Sequence, residues 1–339
     1  MEDLFRYLRE IVDIPSVTGD EQAVAERVGA DLEAIGLDVE FDEASPGRPN
    51  LIARAGEGPT RLWYCTHLDT VPPFFPSSET ETHIAGRGSC DAKGILAAML
   101  FAARRLREDG ISGFGMAFTV GEEVDSAGAI HLEARGPGAT GEGIHLVCGE
   151  PTEGLMASGH KGTLRVRIRA RGKAAHSAYP EAGDSAIHRL LATIAHLQSL
   201  DWGKSDVLGS ATLNVGVISG GVAGNVLAPS AEATLYWRLV GEAEPARRRL
   251  EAILSADDNL DFEHVGQNDA VFCRTLPGFQ VAPMSYSTDI PFMPSWGIPL
   301  LIGPGSIHDA HTAHEHVLKS DLVDAVGYYQ KIAHELLQA

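Results

Sequence analysis

Residues 61–71 read RLWYCTHLDTV. Leu62, Trp63, Tyr64 and Cys65 form an apolar run that lacks the alternation of a half-solvated strand and ends abruptly in His67 and Asp69. Such a run suits a strand buried on both faces, as in a parallel or mixed sheet covered by helices. The same design recurs at 115–123 (GMAFTV, then GEE), 143–150 (GIHLV, then CGE) and 298–306 (IPLLI, then GPGS). In open α/β sheets ligands bind beyond the carboxyl ends of the strands, and each polar cluster falls there. Helices are expected from 92–109 (AKGILAAMLFAARRLRED) and 318–337 (LKSDLVDAVGYYQKIAHELL). Val24, Val28, Leu32 and Ile35 predict another, opening near Asp20 and closing at Gly36.

The texture changes between about Gly159 and Gly266. TLRVRIRARG (163–172) alternates strictly, with Leu164, Val166 and Ile168 on one side and Arg165, Arg167 and Arg169 on the other. A helix at 184–199, strands around 211–219 and 231–240, a helix near 244–255 and a short strand at 259–265 complete a β-α-β-β-α-β order. That order describes a small ferredoxin-like α+β sandwich with one open face. The expected organisation is an α/β domain of residues 1–158 and 268–339, with a central mixed sheet flanked by helices, interrupted by an inserted domain of residues 159–267.

At 339 residues, 44% hydrophobic, the chain can fill two cores. Twenty-seven basic against 46 acidic residues leave a formal charge of -19, which argues against nucleic acid or an anionic membrane as partner. The opening MEDLFRYLREIVDIP has no basic segment leading into an apolar one, and no apolar run approaches the ~18 residues of a membrane span. The expected location is therefore the cytoplasm. Cys65, Cys90, Cys148 and Cys273 lack metal-knuckle spacing and read as reduced, packed thiols.

His67 and Asp69, Asp91, Glu122 and Glu123, Glu150, and His311 are the polar residues that matter. Singly, an Asp before a helix is more often an N-cap and an acidic pair after a strand a solvated turn. Together, at the ends of strands of one sheet, carboxylates and imidazoles would repel and pay heavily for desolvation unless a cation joined them. There are donors enough for two ions. A bridging carboxylate with two terminal ligands per ion would use His67, Asp91, Glu150, Glu123 and His311, and zinc accepts all of these types. Asp69 would then orient the His67 ring, and Glu122, next to a ligand, would take a proton from water.

With these residues in place, the chain resembles the acetylornithine deacetylase, succinyl-diaminopimelate desuccinylase, carboxypeptidase G and aminoacylase family of dinuclear zinc amidohydrolases. The matching stretches are THLDTVP (66–72), GRGSCDAKGILAAM (86–99), VGEEVDSAGA (120–129), CGEPTE (148–153), SGHKGTLRVRIRARGKAAHSAYPEAGDSAI (158–187), GGVAGNVLAPSAEATLYWRL (220–239) and GPGSIHDAHTAHEHV (303–317). The resemblance implies that His67 and Glu150 hold one ion, Glu123 and His311 the other, that Asp91 bridges, and that Glu122 is the general base and acid. It implies two zinc ions, with cobalt or manganese as alternatives, and a cis peptide after Asp91.

For the inserted domain it implies a lid and a homodimer interface. His176 would stabilise the oxyanion in a neighbouring subunit's site, with Asn225 near the scissile amide and Arg238 on the substrate's α-carboxylate. Lys161, Ser287, Thr288 and Gly303 would line the substrate pocket. The intervals 67–91 and 267–298 are short for the family, which trims loops around the site.

The implied activity is cleavage of an N-acyl amino acid. The closing motif favours the acetylornithine deacetylase branch of amino-acid biosynthesis. Succinyl-diaminopimelate, carrier-linked lysine or ornithine, and a dipeptidase or carboxypeptidase activity are alternatives. A non-catalytic metal-binding protein is the rival from another class, and the presence of Glu122 with every ligand weighs against it.

Overall fold

The strand Leu62–His67 is buried along its whole length. In the computed structural model, which describes residues 2–138 and 143–338, Leu62 and Tyr64 enter one hydrophobic cluster while Trp63 and Cys65 enter a second. The missing alternation thus has its physical cause: both faces are covered. The first cluster joins Phe114, Met116, Val147 and Leu300 to Ile95, Met99, Tyr329 and Ile332 of helices Lys93–Glu108 and Lys319–Leu337. The second packs Ala117 and Leu146 against Leu132 and Trp296, whose ring meets Trp63 edge-on at 4.9 Å.

Six strands make this sheet, in the order Asp38–Ser45, Arg48–Arg54, Phe114–Thr119, Leu62–His67, His145–Cys148, Ile298–Leu301. The first two pairings are antiparallel and the last three parallel, so the sheet is mixed. The parallel register sets His67 opposite Thr119, and Cys148 opposite both Cys65 and Leu301. Four strands therefore stop on one edge, and the residues that follow emerge side by side. Buried hydroxyls pin the sheet to the last helix: Tyr64 donates to the Tyr329 carbonyl at 2.6 Å, and Tyr329 to that of Ile302 at 2.9 Å.

The predicted helices lie at Gln22–Ala34, Lys93–Glu108 and Lys319–Leu337. An N-terminal helix, Glu2–Val12, was not read from the sequence, although Leu4, Tyr7, Leu8 and Ile11 have helical spacing and are buried.

The chain divides into two compact units, one of Met1–Ser158, Phe272–Ala282 and Thr288–Ala339, the other of Gly159–Val271 and Pro283–Ser287. The second unit is an antiparallel sheet ordered Thr212–Gly220, Ser230–Leu239, Gly162–Arg171, Leu260–Asn268. Helices Ala186–Ser199 and Ala243–Leu254 close a core of Leu164, Val166, Ile168, Leu190, Leu235, Trp237 and Leu250. The opposite face carries the arginines, with Arg169 on Glu232 at 2.6 Å and Arg167 on Glu263 at 2.9 Å. Among the described residues no helix is long and apolar enough to cross a membrane.

Candidate active site

His67, Glu122, Glu123 and Glu150 stand at or just beyond the ends of buried strands, whereas Asp91 precedes the helix Lys93–Glu108 and His311 lies in the loop between Ile298–Leu301 and His316–Leu318. His67 closes its strand. Its Nδ1 lies 2.9 Å from the main-chain carbonyl of Asp69, which can only accept, so that nitrogen donates and Nε2 is turned the other way. Nε2 in turn lies 2.9 Å from Asp91 Oδ1. The other carboxylate oxygen, Asp91 Oδ2, is 3.2 Å from His311 Nε2, which is 2.9 Å from Glu123 Oε1. Two three-residue groups result, His67, Asp91, Glu150 and Asp91, Glu123, His311, each with donor atoms within 4.8 Å of one another. Asp91 belongs to both. The peptide that follows it, Asp91-Ala92, is cis.

These residues suit a cation. His67 Nε2 and a carboxylate oxygen 2.9 Å apart need positive charge between them; although burial opposes it, the Asp69 and Asp91 carboxylates hold the His67 imidazole well above its usual pKa. Burial, then Glu122 and Asp91, raises the Glu150 pKa well above the usual carboxyl range. Burial is likewise the main cause at Glu122 and Glu123, with neighbouring carboxylates adding to it. Contacts with Asp91 and Glu123 lift the His311 imidazole to about 10. His311 also adopts φ +63°, a left-handed conformation uncommon for a residue with a Cβ.

Asp69 does more than orient a ring. Its carboxylate lies 3.5 Å from His67 Nδ1, farther than its own carbonyl. The carboxylate oxygens accept the Thr18 hydroxyl at 2.7 Å and the main-chain N–H groups of Glu122 at 3.1 Å and Glu123 at 3.3 Å. One fully buried side chain thus fixes the loop that presents both glutamates. Beneath that loop, Thr119 donates to Asp289 Oδ2 at 2.8 Å, and burial pushes the Asp289 carboxyl up to about 6.

Gly303 lies under Glu150. A Cβ there would stand 2.3 Å from the Glu150 carbonyl oxygen, and the Gly303 N–H donates to Thr152 Oγ1 at 3.0 Å. Thr288 is buried, and its hydroxyl accepts the Ile290 N–H at 3.2 Å. The sequence reading missed Glu315, whose carboxylate accepts main-chain N–H groups of the loop leading to Asp91. Its signal was the glutamate closing the AHTAHE stretch, four residues after His311.

Within the second unit, the loops carrying His176 and Asn225 are stitched together. Ser177 N–H donates to the Asn225 carbonyl at 2.9 Å, Leu227 N–H to that of Ala175 at 2.9 Å, and His176 pairs with Val226. The exposed His176 ring accepts the Ala178 N–H on Nδ1 at 3.1 Å, which leaves its proton on Nε2. Arg238 lies over the Tyr236 ring at 4.8 Å. Lys161 is buried, donating from Nζ to the Ser210 carbonyl at 2.7 Å, and Ser287 Oγ receives the Asn268 amide.

Two donor groups sharing one carboxylate at the carboxyl edge of a mixed sheet form the arrangement of a metal-dependent hydrolase. Comparison with known proteins places this chain within that class. Residues 158–259 match the model of a peptidase dimerisation domain, M20_dimer. A peptidase M20 domain-containing protein of Schizosaccharomyces pombe is 34% identical over 98% of this chain and 84% of its own length. A probable carboxypeptidase of Aspergillus flavus is 36% identical over 97% and 89%. An M20 family metallo-carboxypeptidase from Sulfolobus solfataricus shares the fold, with a TM-score of 0.80 at 17% identity over 98% of this chain and 99% of that one. The chain belongs to the M20 peptidase family, and it is a hydrolase of amide bonds.

Proposed function

We propose that the protein is a dinuclear exopeptidase that releases a C-terminal amino acid from a small peptide or N-acyl amino acid. The observation that carries this is Asp91, whose two oxygens lie against His67 and His311 at 2.9 and 3.2 Å, in one group with Glu123, the neighbour of Glu122. His67 and Glu150 would hold one ion, Glu123 and His311 the other. Zinc suits this nitrogen and oxygen set, and cobalt and manganese accept it too. Bound there, the ions supply Lewis acidity to the scissile carbonyl and to the attacking water.

The chain's own groups move the protons. Glu122, a carboxyl held partly out of water, takes the proton of the attacking water and returns it to the leaving nitrogen. His176, with its proton on Nε2, donates to the oxyanion, while Asn225 orients the amide. Arg238 pairs with the α-carboxylate, the group common to a C-terminal residue and an N-acyl amino acid.

The carboxypeptidase reading takes precedence because relatives similar over nearly the whole chain are named so. The N-acetylornithine deacetylase reading is second, favoured by the closing stretch GPGSIHDAHTAHE. A homodimer through the second unit accords with the matched dimerisation domain and with Val217 and Ile218, 60% and 50% exposed on the outermost strand.

Amine release by the metal-loaded protein from dipeptides, N-blocked dipeptides and N-acetylornithine tests the reading. Turnover of the peptides is expected. Turnover of N-acetylornithine alone would replace this reading with the deacetylase one, and no turnover with both ions bound would overturn both.

A further inference from the structure

Glu315 is fully buried and lies four residues beyond His311. Its Oε1 accepts the N–H groups of Gly88 at 2.9 Å, Cys90 at 3.2 Å and Asp91 at 3.1 Å. Its Oε2 meets the guanidinium of Arg87, only 2% exposed, and its main-chain carbonyl accepts the Gly86 N–H at 3.1 Å. The loop GRGSCD, 86–91, is therefore wrapped around one side chain. Gly88 fixes the path: its φ is +87°, and a Cβ there would stand 2.7 Å from Thr70 Cγ2.

The loop ends on the carboxylate that faces both histidines. His67 is held independently, by its strand and by the Asp69 carbonyl. His311 lies outside the helices and strands, with its side chain 47% exposed; its segment meets the Asp91 loop through the Glu315 carboxylate and, five residues before His311, through the Cys90 thiol on the Ser306 carbonyl at 3.4 Å. Because Arg87 neutralises Glu315, the pair brings little net charge to the centre. What it contributes is position.

We infer that Glu315 is a positioning residue that sets the spacing between Asp91 and His311, and so the affinity for the ion held by Asp91, Glu123 and His311. The inference rests on the dinuclear reading above. Partners of this kind typically change metal affinity by about 10–100-fold, and the loss should fall mainly on the ion that needs His311, since Asp91 is common to both groups but His67 and Glu150 keep the support of their strands.

The test is calorimetric titration of the metal-stripped full chain with zinc, alongside circular dichroism and thermal melting. Wild type is expected to take up two equivalents. Glu315→Ala should bind the first within about threefold of wild type and the second at least tenfold more weakly. If Glu315→Ala does not fold, two double variants that leave no charge unpaired decide the matter. Arg87→Met with Glu315→Gln keeps an oxygen for the three N–H groups and should recover the second equivalent, whereas Arg87→Met with Glu315→Leu should not. Wild-type affinity for both ions in folded Glu315→Ala, or equal binding by the two double variants, would overturn the inference. A wild-type chain that takes up only one equivalent would overturn the dinuclear reading instead, and the inference with it.

Discussion

The strands Leu62–His67 and Gly162–Arg171 represent two ways of building a sheet. The first is buried at all six positions; the second alternates buried and accessible residues from end to end. Core on both faces immobilises every residue of the first strand, including the last, so His67 leaves it with a defined direction. In the second unit only alternate residues are fixed, and the groups of interest, His176 and Asn225, sit on exposed loops tied to each other by main-chain bonds. The contrast separates two tasks. On the proposed reading, groups that must stay within an ångström of one another would belong to the doubly covered sheet, and groups that meet a variable ligand to the open one.

The strongest challenge to this division is Glu122→Gln. Removing the proposed proton carrier while sparing every candidate ligand should cost at least about a thousandfold in kcat with both metals retained, as measured by plasma mass spectrometry. Near-normal turnover would move the acid-base role elsewhere.

His176→Ala should cost about a hundredfold by removing the proposed oxyanion donor. Mixed and refolded with Glu122→Gln, it should recover to about a quarter of wild-type activity, since half of randomly paired dimers would hold one intact site if His176 acts across subunits. No recovery would place His176 in its own subunit's chemistry.

Gly303→Ala should be harsher than its size suggests. The new methyl group meets the Glu150 main chain, so we expect about 1–3 kcal/mol of destabilisation by urea unfolding and weaker binding of one metal equivalent. An unchanged midpoint would show that the floor under Glu150 yields.

The last effect lies in the second unit and depends on pH. Burial depresses the fully buried His160 to about 4, against the 6.5 of a free imidazole. Between those values the unfolded chain binds a proton that the folded one refuses. Stability therefore falls as pH drops below 6.5, by about 2 kcal/mol at pH 5, and this contribution levels off below about 4. His160→Gln should flatten that part of the urea-midpoint profile; an unaltered slope would assign it to other groups.

Much of this was legible in the sequence because the signals were local. Unalternating runs marked the doubly buried strands, strict alternation marked Gly162–Arg171, and the polar residues after three of the runs supplied His67, Glu123 and Glu150 as candidate ligands. The Glu2–Val12 helix was equally local and was passed over. The roles of Glu315, Asp69 and Gly303 were of another kind. Glu315 grips a loop more than 220 residues away, the Asp69 carboxylate holds main-chain groups more than 50 residues on, and Gly303 is defined by the backbone it lies on. Periodicity does not report pairings of that range. The return of Pro283–Ser287 to the second unit has the same character, since no change of composition marks it.

The outermost strand, Thr212–Gly220, has a practical consequence for anyone handling the protein. Among the described residues this edge, bearing Val217 and Ile218, has no further strand beside it and is a template for any extended chain, so concentrated or partly unfolded protein invites precipitation there. A lysine at position 217 would blunt that edge, at the cost of whatever pairing it serves.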